Sequence, residues 1–469
     1  MTSINRSLTI LKYALLVLLI NILTSLCLKA QNEMAFAAGK TYEAPKDEKV
    51  KKKIAEWQDL KFGLFMHWGT YSIWGIVESW SLCPEDRSFT QRTGPYADSY
   101  YGYKNAYENL QTQFNPTLFN PEKWALAAKN AGMKYMVFTT KHHDGFCMFD
   151  TKYTDYKVTS AKTPFSSNPR SNITKEVFDS FRKQDFMLGA YFSKPDWHSE
   201  DFWWSYFPVK DRGVNYDITK YPDRWKRFND YTYNQVEELM IGYGKLDVLW
   251  FDGQPKMEMS SIVEMARKDQ PGIIVVNRYG KPEYINYLTP EQTIPEKYIP
   301  YPWETCMTMG RAWSYNRQEK FKPTRKLIQM LVDIVAKNGN LLLNIGPGPD
   351  GEWHKEAYER LEEIGKWIKV NGESIYGTKP VLPYRQDKWA FTGKDKAQYV
   401  SYLPDEDERD LSAKMTIPMS SINKNAKISL LGSDKLLKWT KSDNQILVDV
   451  PKETITRLSG QPVWVFKII

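Results

Sequence analysis

The chain has 469 residues, 42% hydrophobic and 14% aromatic, with 17 Trp and 29 Tyr. That is a globular composition with core material for a large domain and a smaller one. The formal charge is +8, mild for this length, and the sequence holds no phosphate-binding loop and no nucleic-acid motif, so a nucleic-acid partner is not expected.

The first thirty residues read as a secretory signal. Arg6 and Lys12 precede an apolar stretch from Tyr13 to Leu28, and cleavage is expected near Ala30. Asn21, Thr24 and Ser25 and the short length weaken a retained anchor, and Leu26 is too large to precede a lipidated Cys27. The mature protein is therefore expected in the periplasm or outside the cell, without stable membrane insertion. Loss of Arg6, Lys12 and Lys29 lowers the charge from +8 to about +5. Cys83, Cys147 and Cys306 remain, which excludes a disulfide scaffold and permits at most one bridge.

Residues 31–54 read as an extended leader, with "KVKKK" at 49–53 as a solvated helix face. From 55 to 377 helical and strand-like segments alternate. "NPEKWALAAKNAG" carries Asn120 as N-cap, Pro121 at the first helical position and Gly132 at the end. It leads into "MKYMVFTTK". "TKEVFDSFRKQDF" leads into "MLGAYFSK", "YNQVEELMIGYG" into "KLDVLWFD", "SSIVEMARKDQPG" into "IIVVNR", and "TRKLIQMLVDIVAKNG" into "NLLLNIG". With "KFGLFM" these give six good strands. Each is a short, near-continuous apolar run, as parallel strands covered on both faces require. From 378 to 469 the periodicity changes to short alternating segments, "AQYVSYL", "AKISLLG", "QILVDV" and "PVWVFKII", which read as a β-sandwich.

An α/β barrel is favoured over an open sheet by the residues that end the strands. They are His67-Trp68-Gly69, His142-His143-Asp144-Gly145, Lys194-Pro195-Asp196-Trp197, Asp252-Gly253 and Arg278. Five polar clusters in succession imply a ring of functional groups at the C-terminal face of a barrel. His67, His142, His143 and His198 lack the spacing of a metal motif, so no metal and no cofactor are expected, and the histidines suit hydrogen bonds to hydroxyls better. No Gly-x-Ser-x-Gly occurs, so serine hydrolase chemistry has little support. Paired carboxylates are the stronger candidates. Asp252 either caps an Asp-Gly turn or is presented by its strand as a catalytic group, with a partner among Glu283, Glu291, Glu296 and Glu304.

The ordered set "FGLFMHWG", "ESW", "KHHDGF", "LWFDG", "TPEQ", "WETCMTMGRAWSYN", "GNLLLNIGPGPDG" and "WIKVNGESIYGT" resembles the α-L-fucosidases of glycoside hydrolase family 29. The resemblance runs from about residue 55 to 377. It implies an irregular (β/α)8-like barrel followed by an antiparallel β-sandwich, and retaining, exo-acting hydrolysis of terminal α-L-fucosides from a fucosylated glycan. It implies that Asp252 is the nucleophile and Glu291 the acid/base, with Glu304 as the alternative. Contacts to the sugar are implied for His67, Glu78, Trp80, His142, His143, Trp250, Arg278 and Trp313. Ser314 stands where the family usually has glycine. Two competing readings are a sugar-binding protein on a catalytically dead barrel, and a hydrolase of a related sugar such as an α-L-galactoside. The sequence leaves the oligomeric state open.

Overall fold

A computed structural model describes residues 42–253, 257–278 and 280–469. The signal segment and residues 31–41 of the expected leader lie outside the described residues. Seven strands form one parallel sheet: Phe62–Met66 (β1), Tyr135–Lys141 (β2), Met187–Ser193 (β3), Val248–Asp252 (β4), Ile274–Asn277 (β5), Trp303–Thr308 (β6) and Gly339–Asn344 (β7). Their order is β5-β4-β3-β2-β1-β7-β6. The helices in this region are Glu48–Leu60 (α1), Tyr100–Glu108 (α2), Pro121–Asn130 (α3), Ile173–Arg182 (α4), Pro222–Gly242 (α5), Ser260–Asp269 (α6), Thr324–Ala336 (α7) and Lys355–Asn371 (α8).

The sheet curls, because alternate side chains of all seven strands build one inner cluster. Phe65, Val137, Tyr191, Val248, Trp250, Val276, Cys306 and Leu342 belong to it. The residues between them, such as Leu249 and Phe251, pack outward against the helices. This period of two explains the continuous apolar run of β4: the strand has two buried faces. Two edges are left, β5 and β6. The segment 285–292 lies between them, bridged to β5 at Val276–Ile285 and to β6 at Leu288–Trp303 and Glu291–Cys306. It serves as an irregular eighth element that closes the barrel.

Helix α1 plugs the N-terminal end of the barrel. It starts at Glu48, inside the segment expected to be extended, because Asp47 accepts from Lys49 N and Val50 N as a cap. Lys51 and Lys52 face solvent. Val50, Ile54 and Trp57 join the inner cluster, and the Trp57 ring stacks on Tyr287 at 4.1 Å. Helix α3 has the expected Asn120 cap, with Lys123 N donating to its side chain at 3.0 Å.

The barrel strand absent from the sequence reading is β6. Its inward row, Glu304 and Cys306, begins with a carboxylate, so the run lacks the apolar signature of the other strands.

The remaining chain forms Lys379–Gln386 (β8), Trp389–Lys394 (β9), Ala397–Tyr402 (β10), Lys414–Ile417 (β11), Ile428–Leu430 (β12), Leu436–Ser442 (β13), Gln445–Asp449 (β14), Lys452–Arg457 (α9) and Trp464–Ile468 (β15). The strands make one antiparallel sheet in the order β11-β14-β13-β12-β15-β10-β9-β8. It folds over on itself, since Ile417, Ile446 and Val448 share a core with Phe391, Val400 and Phe466. Cys83, Cys147 and Cys306 are buried free thiols. No described helix is long and apolar enough to cross a membrane.

Candidate active site

Asp252 is the last residue of β4, one step above Trp250 on the inward face. The next residue, Gly253, has φ +85°, and a Cβ there would lie 2.3 Å from the Pro195 ring. Glycine is therefore required to turn the chain immediately after the carboxylate. Tyr191 Oη donates to Asp252 Oδ2 at 3.0 Å, Arg278 Nη1 to Oδ1 at 3.3 Å, and His143 Nε2 lies 3.9 Å from Oδ2. Burial works to raise the Asp252 pKa, but the Arg278 charge and the hydrogen bonds from Gly253 N and Tyr191 outweigh it and hold the carboxyl below its usual range.

Arg278 has a second carboxylate. Its Nη2 donates to Glu291 Oε2 at 2.7 Å. Two nitrogens of one guanidinium thus bind Asp252 and Glu291. Glu291 comes from the barrel-closing segment, and its side chain is 37% exposed against 16% for Asp252. The inner carboxylate is fixed by the strand and the outer one faces the opening.

Three histidines surround Asp252 and are set by hydrogen bonds. Asn344 Nδ2 donates to Trp313 O, so Asn344 Oδ1 accepts a hydrogen bond from His67 Nδ1 at 2.8 Å, which leaves His67 Nε2 an acceptor. Ser193 Oγ donates to Pro195 O and so accepts from His143 Nδ1 at 2.6 Å, leaving His143 Nε2 an acceptor as well. Ser79 Oγ accepts from Asp144 N at 3.0 Å and is hydrogen-bonded to His142 Nδ1 at 2.6 Å, which leaves His142 Nε2 outside that bond. Burial pushes His67 and His143 down to about 4 and His142 well below the ordinary range. All three are neutral at physiological pH.

A family model described as α-L-fucosidase matches residues 29–373, and one for the α-L-fucosidase C-terminal domain matches residues 388–469. The chain belongs to the α-L-fucosidase family. As such it is a glycoside hydrolase. It is 30% identical to the tissue α-L-fucosidase of Bos taurus over 448 residues, covering 88% of each chain. The structure of α-L-fucosidase isoenzyme 1 from Paenibacillus thiaminolyticus matches with a TM-score of 0.73 at 30% identity, over 90% of this chain and 99% of that one. The α-fucosidase of Thermotoga maritima in complex with fucose matches with a TM-score of 0.72 at 26% identity, over 91% and 100%.

Other residues expected from the sequence to contact the sugar lie around this centre. Glu78 is buried, and its Oε2 has no hydrogen-bond partner among the described residues. Burial, reinforced by the nearby Glu291, pushes its carboxyl up to about 7. Trp313 is partly buried beside the His67 ring at 5.1 Å. Ser314 donates to Ile76 O at 2.5 Å and ties this loop to the one carrying Glu78. Trp80 meets the His143 ring edge-on at 5.1 Å and lies under the Arg212 guanidinium at 4.8 Å.

Glu304 and Trp250 lie deeper than the sequence reading placed them. Glu304 has no exposed surface and accepts from Tyr135 Oη at 2.7 Å, Trp250 Nε1 at 3.3 Å and Tyr287 Oη at 3.2 Å. Its inward position on β6 puts it in the barrel core, so Glu304 is a core carboxyl and not the alternative acid/base expected from the sequence. Trp250 is buried beneath Arg278 and Tyr191, 5.3 Å and 5.4 Å from its ring, and forms the floor of the site.

His198 is outside the cluster, stacked on Tyr156 and bonded to Glu108. Trp68 packs outward on Phe114 and Trp124. Among the described residues no group of three or more His, Cys, Asp or Glu is arranged to hold a metal ion.

Sequence reasoning missed Tyr191, Ser193 and Asn344. Tyr191 sits inside an apolar run and reads as core filler, although its inward register matches that of Trp250. Counting in steps of two down each strand from its polar end would have found it.

Proposed function

We propose that this chain is an exported, exo-acting α-L-fucosidase that removes terminal α-L-fucosyl residues from glycans with retention of configuration. One observation carries the mechanism: Arg278 binds Asp252 and Glu291 through two nitrogens of the same guanidinium. Double displacement needs two carboxyls ~5–5.5 Å apart about one glycosidic bond, and the shared guanidinium supports that proximity. Export rests on the apolar segment after Arg6 and Lys12.

Asp252 is the nucleophile. It is kept ionised and oriented by Tyr191 and Arg278, and attacks the anomeric carbon as the glycosidic bond breaks. Glu291 gives its proton to the departing oxygen, then takes one from the water that releases fucose from Asp252. The outer position of Glu291 suits this role, since leaving group and water both pass there. His67 and His143 offer acceptors to sugar hydroxyls, and His142 adds a further ring nitrogen. The unpartnered Glu78 oxygen adds a further polar contact. The half-buried Trp313 ring suits the apolar C6 methyl of fucose, and the related Thermotoga maritima enzyme is known with fucose bound.

The test is hydrolysis of an aryl α-L-fucoside. The wild type cleaves it. Asp252→Ala abolishes turnover, and Glu291→Ala lowers kcat by ~10²–10⁴-fold on a substrate with a poor leaving group. A wild type that leaves fucosides untouched but hydrolyses or merely binds another sugar overturns the reading.

A further inference from the structure

The connection between β3 and α5, residues 194–221, carries two groups of rings, one beside the catalytic centre and one farther along the chain. Trp197 lies 5.2 Å from the His143 ring and 5.5 Å from Trp80. Trp203 stacks on Trp197 at 4.9 Å with the planes 2° apart. The next residue, Trp204, starts a second group, with Tyr206 at 5.1 Å, Phe207 at 5.3 Å and Tyr221 at 5.1 Å. Tyr206 is 73% exposed and Tyr221 37%.

This outer group is held firmly. Asn215 accepts from Trp204 N at 2.8 Å and donates to Trp204 O and Phe207 O at 2.9 and 2.8 Å. Tyr216 Oη donates to Asp201 O at 2.7 Å. Beside the rings is a cavity of about 500 Å³, lined by Phe207, Tyr216 and Tyr221 and bordered by Lys210, Asp211 and Lys220. That volume lies within the range of ~300–1,000 Å³ typical of small-molecule sites.

Preorganised rings with exposed faces and a polar border match the two sides of a pyranose. Its C–H face stacks on an aromatic ring, and its hydroxyls bond to carboxylates and ammonium groups. The site already described uses none of these residues. Lys210 and Lys220 are balanced by Asp211 and Asp217 at the same cavity, which favours an uncharged sugar. The loop rises from the end of β3, between β2 and β4, whose ends carry His143 and Asp252, so a glycan held at its fucosyl end by the barrel can extend along it.

We propose that the cavity beside Phe207, Tyr216 and Tyr221 is a second saccharide subsite, which holds the neutral oligosaccharide bearing the fucosyl residue. It rests on the fucosidase reading for the identity of its ligand. It makes the enzyme favour fucose on an extended glycan over fucose on a small aglycone.

The test compares an aryl α-L-fucoside with a neutral fucosylated oligosaccharide of four or more sugars, using the wild type, Phe207→Ala and Tyr221→Ala. KM for the oligosaccharide rises about five-fold in each variant, as loss of one stacked ring implies, while kinetics on the aryl fucoside are unchanged. Equal effects on both substrates, or none on either, overturn the proposal. Saturation-transfer NMR with the defucosylated oligosaccharide gives a readout independent of turnover. Transfer from the wild type that is lost in Tyr221→Ala, with the fold intact, supports the subsite. No transfer from the wild type overturns it. If neither fucoside is cleaved, the fucosidase reading fails and this binding measurement alone decides the subsite.

Discussion

At the scale of single residues, the site is organised by Arg278. It bonds two carboxylates and lies over the Trp250 ring. Its charge is the largest influence holding the Asp252 carboxyl low against the effect of burial. Replacing it by methionine leaves burial unopposed by that charge. The Asp252 pKa then rises, and the acid limb of the kcat/KM profile moves to higher pH. A profile for Arg278→Met that coincides with the wild type on the acid side would show that Asp252 is not the group titrating there. The histidines contribute no such limb near neutrality, because burial holds His67 and His143 at about 4.

Much of this centre was legible in the sequence. Asp252, the His142-His143 pair and Arg278 all end strands, and a break from apolar to polar is visible in one dimension. What hid the rest was register. Tyr191 is a polar contact inside an apolar run, and Asn344 acts through His67 rather than on a ligand. Register hides Glu304 in the same way: its position in the sequence suggests a carboxylate facing the cavity, whereas its inward step on β6 sends it below Trp250.

At the scale of elements, the barrel is seven strands with a seam, and the seam carries Glu291. Sequence periodicity cannot see this segment, because bridges at Val276, Trp303 and Cys306 replace a regular ladder. The neighbouring β6 brings Glu304 into the core, where burial raises its carboxyl from 4.5 to about 7 despite three hydrogen bonds. The folded state therefore holds this proton more tightly than the unfolded chain does. Its share of stability is complete below pH ~4.5, is lost as pH rises to about 7, and is flat above. That share is on the order of 3 kcal/mol. Glu304→Gln removes it, so the variant loses less stability than the wild type between pH 5 and 8 in denaturant titrations. Identical pH dependence in the two proteins would place the Glu304 proton elsewhere.

At the scale of the molecule, the C-terminal sheet is fastened to the outside of the barrel through its last helices. Trp367 on α8 donates to Val463 O at 3.1 Å, and Lys467 pairs with Glu373 at 2.7 Å. Ala390, Tyr399 and Val465 join the same core as the barrel helices. The sheet thus braces α8 and belongs to one cooperative structure. Trp367→Ala empties a buried indole and should cost ~3–5 kcal/mol in unfolding free energy, with little change in kcat for the molecules that remain folded. A loss of activity without a loss of stability would instead tie this sheet to catalysis.

The central claim is that two carboxyls sharing one arginine perform double displacement, with Asp252 as nucleophile and Glu291 as acid/base. The most direct measurement adds azide to Asp252→Ala and Glu291→Ala with an aryl α-L-fucoside and determines the configuration of the product. The account predicts β-fucosyl azide from Asp252→Ala and α-fucosyl azide from Glu291→Ala. Full activity of Asp252→Ala without azide, or the opposite pair of anomers, would contradict it.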